Sequence, residues 1–336
     1  MAEALRPRFP RAPVPGHWRE RVVALGGVRT VHPIHGAGLL RTRGEHELAI
    51  EALYEVLARE PYHVDGLNHI VGILSALGRQ EALLPFRRRL HEIRCQGLGL
   101  EGAERDATIL FLEAAFGAGP LPKRAPNGLI RATFDQYADF YDVRLRTHLA
   151  YRAPELVSEA VRATSQGREQ GLEFLDLGCG TGLLAPLLRS NARRLVGIDL
   201  SSRMLERAHE RDIYDDLHEA EFIGWLEANK HRWDVIVAAD ALCYVGGLGP
   251  LLDLVAARLG SMGRFVFTVE RSASHATALH PTERFVHSEE HVRRVAEAAH
   301  LDVRYLVQRA LRNQNGRPVD GLVVVLQRRS ANATPK

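Results

Sequence analysis

Cysteine, lysine and long apolar runs are what this sequence has least of. Its three cysteines in 336 residues, Cys95, Cys179 and Cys243, stand far apart. They make neither a metal spacing nor a disulfide framework, which points to a reducing cytoplasm. No apolar run approaches the roughly 18 residues a membrane helix needs. An excess of one charge is also missing. Lys plus Arg total 44 against 41 acids, and the net charge of +3 is spread along the chain. That excludes a basic nucleic-acid stripe. The basic residues are nearly all arginine. The N-terminal MAEALRPRFPRAPVPGHW has no apolar centre and is not a secretory signal. Against a transit peptide, we read residues 1–35 as a disordered or irregular tail and 331–336 as a second one.

What is present suffices for a core. Apolar residues make up 46% of the chain, and the length allows two domains. Residues 36–94 carry helical periodicity broken by short turns, and 36–117 is expected to form one all-α domain. Leu40 and Leu74, Gly44 and Gly78, Glu47 and Glu81, and Ile50 and Leu84 stand 34 apart. Pro61 ends the first unit, and Cys95 takes its place in the second. This resembles the tetratricopeptide (TPR) repeat, a helix–turn–helix of about 34 residues. Two units rarely hide their own apolar faces, so cover is expected from a helix at 104–117 or from the next domain. Such stacks present a concave surface to peptides or proteins, but packing within the chain or a homodimer is an equal reading. Arg87, Arg88 and Arg89 are either a contact for an acidic partner or a solvated face. The segment 118–130, GAGPLPKRAPNGL, reads as a linker.

From 131 to 330 a second domain is expected. Residues 131–165 are helical and hold Phe134, Tyr137, Phe140, Tyr141 and Tyr151, which suits a core helix or a lid over a flat ligand. Strand and helix patterns then alternate, giving a mostly parallel sheet covered on both faces, with a final antiparallel strand. LEFLDL, RRLVGID, WDVIVAAD and GRFVFTVE are its clearest strands. Ligands in such sheets bind beyond the carboxyl ends of the strands.

FLDLGCGTG, residues 174–182, lies at one such end. Its glycines, Gly178, Gly180 and Gly182, are spaced G-x-G-x-G, and Leu183 occupies the third-glycine position of the dinucleotide fingerprint. Asp176 would repel a pyrophosphate and attract an ammonium group. The loop therefore suits a zwitterionic amino acid better than a diphosphate. Asp199 ends the next strand, 21 residues after Gly178, where a carboxylate accepts both hydroxyls of a ribose. A helix-cap role is the plain alternative for that acid.

Residues 172–270 resemble a class I methyltransferase that uses S-adenosylmethionine (SAM), with FLDLGCGTG, VGIDLSSRML and WDVIVAADALCYV as the matching motifs. With the two repeats, FDQYADFYDVRLRTHLAYRAPEL and TERFVHSEEHV, the chain is similar to bacterial TPR-containing methyltransferases. The resemblance implies a Rossmann-like α/β sheet behind an all-α TPR-like domain. It implies SAM as cofactor and S-adenosylhomocysteine as product. Asp176, Gly178, Cys179 and Gly180 would hold the methionine part. Asp199 would hold the ribose, with Leu200 and Met204 beside the adenosine and Glu221 at the adenine edge. Tyr137 and Tyr141 would cap the cofactor. Asp240, at the end of the fourth-strand motif, would stand beside the transferring methyl.

The acceptor side is expected from the loops after that strand and the next. Tyr244, His275, His280, Arg284 and His287 lie there, and His148 and Arg152 lie near the lid. We read Arg284 as a clamp on an anionic acceptor and His287 as a base. Their plain alternatives are an ion pair and a residue before a helix cap. The expected activity is methyl transfer to an oxygen or nitrogen of a peptide, carrier-bound or small-molecule acceptor. A SAM-binding scaffold or sensor is the non-enzymatic alternative.

Overall fold

Glycine punctuates the helical N-terminal half. In the computed structural model, which describes residues 17–28, 30–165, 167, 170–314 and 316–329 except for the side chains of 144, 146 and 148, the chain divides into two units. They span Met1–Gly97 and Leu98–Lys336. The first holds α1 (His17–Ala24), α2 (Pro33–Thr42), α3 (His46–Arg59), α4 (Val64–Ala76) and α5 (Gln80–Gly97). Gly44 and Gly78 both adopt positive φ, 77° and 69°. The residue after each returns its N–H to a leucine carbonyl, Glu45 to Leu40 and Arg79 to Leu74, both at 2.9 Å. A left-handed residue without Cβ strain closes the same turn twice, 34 residues apart.

The repeat is imperfect, for two local reasons. Pro61 follows α3, which ends at Arg59, because the residue before a proline is pushed out of the helical region. Nothing comparable stops α5, which runs on through Cys95. Ile50 is buried but Leu84 is exposed, so the apolar stripes of α3 and α5 are not equivalent. Arg87 and Arg89 are buried, and Arg89 donates to the Pro61 carbonyl at 3.3 Å. The arginine run is therefore no continuous solvated face.

The cover for the pair of hairpins differs from expectation. It is α1, within the stretch read as a tail. Trp18 and Val22 are one turn apart and buried with Leu40, Leu53 and Leu67. Gly36 makes room for the indole, since a Cβ there would lie 2.4 Å from Trp18. The helix expected to provide cover, α6 (Gly102–Ala115), belongs to the second unit. There Phe111 and Leu112 pack with Ala125, Leu129 and Phe285. Residues 118–130 are no free tether either. Lys123 accepts from Gly246 and Gly247 at 2.8 and 2.9 Å, and Ala125 donates to Tyr244 O at 2.9 Å.

The second unit continues with α7 (Asn127–Tyr137), α8 (Tyr141–His148) and α9 (Ala153–Ala163). After them come β1 (Leu172–Leu177), α10 (Ala185–Leu188), β2 (Ala192–Asp199), α11 (Ser202–His209), β3 (Asp216–Glu219), α12 (Phe222–Ala228) and β4 (Trp233–Ala238). The unit closes with α13 (Leu248–Arg258), β5 (Leu259–Arg271), β6 (Thr277–Leu279), β7 (Phe285–His287), α14 (Glu289–Ala298), β8 (Leu301–Gln314) and β9 (Arg317–Arg328). The main sheet runs β3-β2-β1-β4-β5-β9-β8, parallel except for β9. Strands β6 and β7 form a short antiparallel pair at the carboxyl end of β5. Residues 174 and 175, 235 and 236, and 265 and 266 alternate between two apolar clusters, one on each face. This is the two-residue period of a sheet buried on both sides. None of the described helices is long and apolar enough to cross a membrane.

Candidate active site

The loop after β1 turns on its glycines. Gly178, Gly180 and Gly182 have φ of 70°, 55° and 81°, a region that L side chains rarely enter. The N–H groups of Gly178 and Cys179 both bond Ile198 O, at 2.8 and 3.0 Å, which ties the loop to the end of β2. A Cβ on Gly178 would lie 2.6 Å from that of Ala241. One on Gly180 would meet nothing within 4 Å; this glycine faces open space.

That space consists of two adjoining cavities, which share Tyr141, Gly178, Gly180 and Ala239 as lining. Asp176, Cys179, Thr181 and Tyr151 line the smaller one. Asp199, Leu200, Met204, Glu221, Asp240 and Tyr244 line the larger, together with Arg124, Asn127, Ile130 and Phe134. The sheet topology places Asp176, Asp199 and Asp240 here, at or just past the carboxyl ends of neighbouring strands.

Each acid is held differently. Asp176 is buried and accepts from Tyr214 Oη at 2.7 Å. Burial raises its pKa to about 7, with Tyr214 opposing and Asp199 adding to the rise. Asp199 accepts from Gly180 N and Ser201 N, each at 2.9 Å. Burial raises it too, partly offset by those donors. The Leu200 N–H also favours the ionised form, and of about four acceptor positions on a carboxylate some capacity remains for a ligand's hydroxyl. Glu221 is the cap of α12, accepting from Ile223 N at 3.0 Å and Gly224 N at 2.9 Å. It also pairs with Arg124 at 3.3 Å. Asp240 has φ 59°. Its N–H donates to Thr268 Oγ1 at 2.9 Å, and its carbonyl accepts from Cys243 Sγ at 3.1 Å.

Three expectations fail. His287 is fully buried. Its Nε2 meets Val245 O at 2.9 Å, its Nδ1 meets Thr277 Oγ1 at 3.2 Å, and it does not line the cavity. Burial lowers its pKa to about 4, so it is a neutral structural histidine and not a base. Arg284 is not a clamp on an anion. Its guanidinium binds Glu270 and Asp240 and reaches Tyr244 Oη at 3.3 Å. Tyr137 is exposed and Phe134, one turn earlier, lines the cavity instead. His275, His280 and Arg152 are not among the lining residues, and the His148 side chain lies outside the described residues.

Two charged contributors, Arg312 and Glu270, carried no sequence signal that marked them. Arg312, on β8, binds Glu270 at 2.6 Å and Asp240 at 3.4 Å. Burial pushes Glu270 up, and Arg284 and Arg312 more than reverse it, leaving its pKa below the ordinary value. Phe134 makes edge contacts with Tyr141 and Tyr244, with centroids at 5.8 Å. Burial raises the phenols of Tyr141 and Tyr244, so both stay neutral and neither is a phenolate base.

Acids of the α7–α8 segment bind the glycine loop and α11. Asp135 meets Ser201 Oγ at 2.5 Å. Asp139 meets Arg203 at 2.8 Å and Arg207 at 2.5 Å. Asp142 meets Thr181 Oγ1 at 2.5 Å and also binds Arg211. No group of histidine, cysteine and acids suited to a metal occurs among the described residues.

A family described as a methyltransferase domain matches residues 145–314, just over half of the chain. The chain belongs to this methyltransferase domain family. The matched segment contains the glycine loop and the three acids. Human methyltransferase-like protein 27 is 38% identical over 85 residues, covering 25% of this chain and 34% of that protein. Trans-aconitate 2-methyltransferase of Paracidovorax citrulli is 32% identical over 114 residues, covering 33% and 43%. The chain thus spans less than half the length of these relatives. Among solved structures, 1,6-didemethyltoxoflavin-N1-methyltransferase of Burkholderia thailandensis, with 1,6-didemethyltoxoflavin and S-adenosylhomocysteine bound, is 18% identical. It covers 62% of this chain and 93% of its own at a TM-score of 0.48.

Proposed function

We propose that the chain is a SAM-dependent methyltransferase acting on an oxygen or nitrogen of a small-molecule, peptide or carrier-bound acceptor. The observation that carries this is the pair of buried acids flanking the glycine loop. Asp176 lines one of two joined cavities and Asp199 the other. An amino acid joined to a nucleoside has matching chemistry, an ammonium for the first acid and ribose hydroxyls for the second. The open side of Gly180 leaves the room between them. Leu200, Met204 and Ile223 line the cavity and supply apolar contact for an adenine, with Glu221, the α12 cap, as the acid at its edge.

The bound cofactor supplies a methyl group on a positively charged sulfur, already activated for displacement. The residues around the cavity have to align the acceptor within about 3–3.5 Å of that carbon and keep water out. Tyr141, Phe134, Tyr244 and Asp240 are placed to do so. The helical unit, with its 34-residue periodicity, we read as TPR-like. It serves either to recognise a substrate or partner or to form a homodimer.

Incubation with methyl-labelled SAM and a host-cell lysate, split by size before counting, tests the reading. Label in macromolecules assigns the helical unit to substrate recognition. Label in small molecules assigns it to architecture. No label in either fraction, with SAM intact, contradicts the proposed activity.

A further inference from the structure

Asp240, which lines the larger cavity, has one carboxylate oxygen paired and the other not. Both arginines reach the same oxygen, with Arg284 Nη2 and Arg312 Nη1 on Oδ1. No hydrogen bond within the described residues reaches Oδ2. The side chain is only 10% exposed, yet the residue lines the larger cavity. Asp240 is partly buried, and Oδ2 keeps acceptor capacity on the cavity side that a ligand donor can take up. The backbone shows the same commitment. Asp240 is held at φ 59° by Thr268 and Cys243. Strain of this kind persists where the surroundings fix a side chain in place.

The cations around the cavity are already paired, Arg124 with Glu221 and Asn127 at its other end. Arg284 and Arg312 divide their contacts between Asp240 and Glu270. These two positive and two negative groups sum to zero. An anionic acceptor entering beside Phe134, Tyr141 and Tyr244 would meet no unpaired guanidinium in this quartet, and it would face Oδ2 as a like charge.

We propose that the methyl acceptor is a hydroxyl or amine on a flat apolar body, with its O–H or N–H bonded to Asp240 Oδ2, and that carboxylate acceptors are rejected. This deepens the methyltransferase reading and rests on it. The aromatic edges of Phe134, Tyr141 and Tyr244 hold the body of the acceptor. The acceptor's lone pair forms the bond to the methyl carbon, and the carbon–sulfur bond breaks with its electrons going to sulfur. The acceptor's proton passes to Asp240 Oδ2 and from there to solvent.

The test compares 2-naphthol, 2-naphthylamine and 2-naphthoate, which share one flat skeleton. Binding to the full-length protein is measured by calorimetry with saturating S-adenosylhomocysteine, and SAM affinity is measured separately. The hydroxyl and amine members should bind and the naphthoate should not. Asp240→Asn keeps the shape and tolerates positive φ. It should weaken the naphthylamine at least tenfold, admit the naphthoate, and leave SAM affinity within about twofold. Naphthoate binding as tightly as naphthol, or binding by none of the three, overturns the proposal. So does loss of SAM affinity in Asp240→Asn, which would assign Oδ2 to the cofactor's ammonium. The charge preference of the wild-type protein decides the matter even if the variant does not fold. Failure of the wild-type protein to bind SAM at all would sink the underlying methyltransferase reading instead.

Discussion

At the scale of single residues, Asp176 makes a pH prediction. In the free protein burial raises its pKa to about 7, whereas an unfolded aspartate titrates near ~3.9. Between those values the folded state holds a proton that the unfolded state lacks. This residue's contribution to stability therefore falls as pH rises through the window and levels off above about 7. Binding an ammonium favours the ionised form, so SAM affinity should rise from pH 6 to pH 8. Titration calorimetry across that range checks it. Asp176→Asn should bind more weakly and with a flat profile, and a slope that survives the substitution would assign the titration elsewhere. The glycines and acids of this loop were legible because their spacing alone states what the backbone must do. His287 and Arg284 misled because a loop histidine or arginine reads the same whether it faces a cavity or a buried partner. Arg312 lies on β8, Glu270 on β5 and Asp240 just past β4, and only the pairings of β4 with β5, β5 with β9 and β9 with β8 bring them together.

At the scale of elements, the acids of α7–α8 and the arginines of α11 invite a test. Asp135, Asp139 and Asp142 bind Ser201, Arg203, Arg207, Thr181 and Arg211. Asp142 adjoins Tyr141, which lines both cavities. Asp142→Ala should weaken SAM binding roughly fivefold, the equivalent of about 1 kcal/mol for an ion pair of this kind. Added salt should narrow the difference between variant and wild type, because it screens partly exposed pairs. An unchanged affinity at low salt would mean that the segment is positioned by packing alone. In the helical unit, Gly36→Ala should cost about 1–3 kcal/mol in denaturant unfolding, because its Cβ would run into Trp18. The strands β1, β2, β4 and β5 were legible from their apolar runs. The short, polar β3 (DLHE) was not, since it carries no full period. Helix α1 was hidden by its proline-rich flank, with just Trp18 and Val22 to mark a buried face.

At the scale of the molecule, a helical unit and a methyltransferase sheet share one chain. The division at Gly97 fell where the sequence showed continuous helical pattern, because α6 is amphipathic like the helices before it and packs with residues far along the chain. The proline-rich 118–130 was the more visible boundary, yet its backbone bonds hold it against the loop after β4. The central claim is that the glycine loop and its two acids form a SAM site. Calorimetric titration with SAM, on the intact protein and on Asp199→Ala, tests it most directly. The account predicts one site per chain, with affinity at least tenfold weaker in the variant because the ribose loses its carboxylate acceptor. No binding to the intact protein, or equal binding to both, would contradict it.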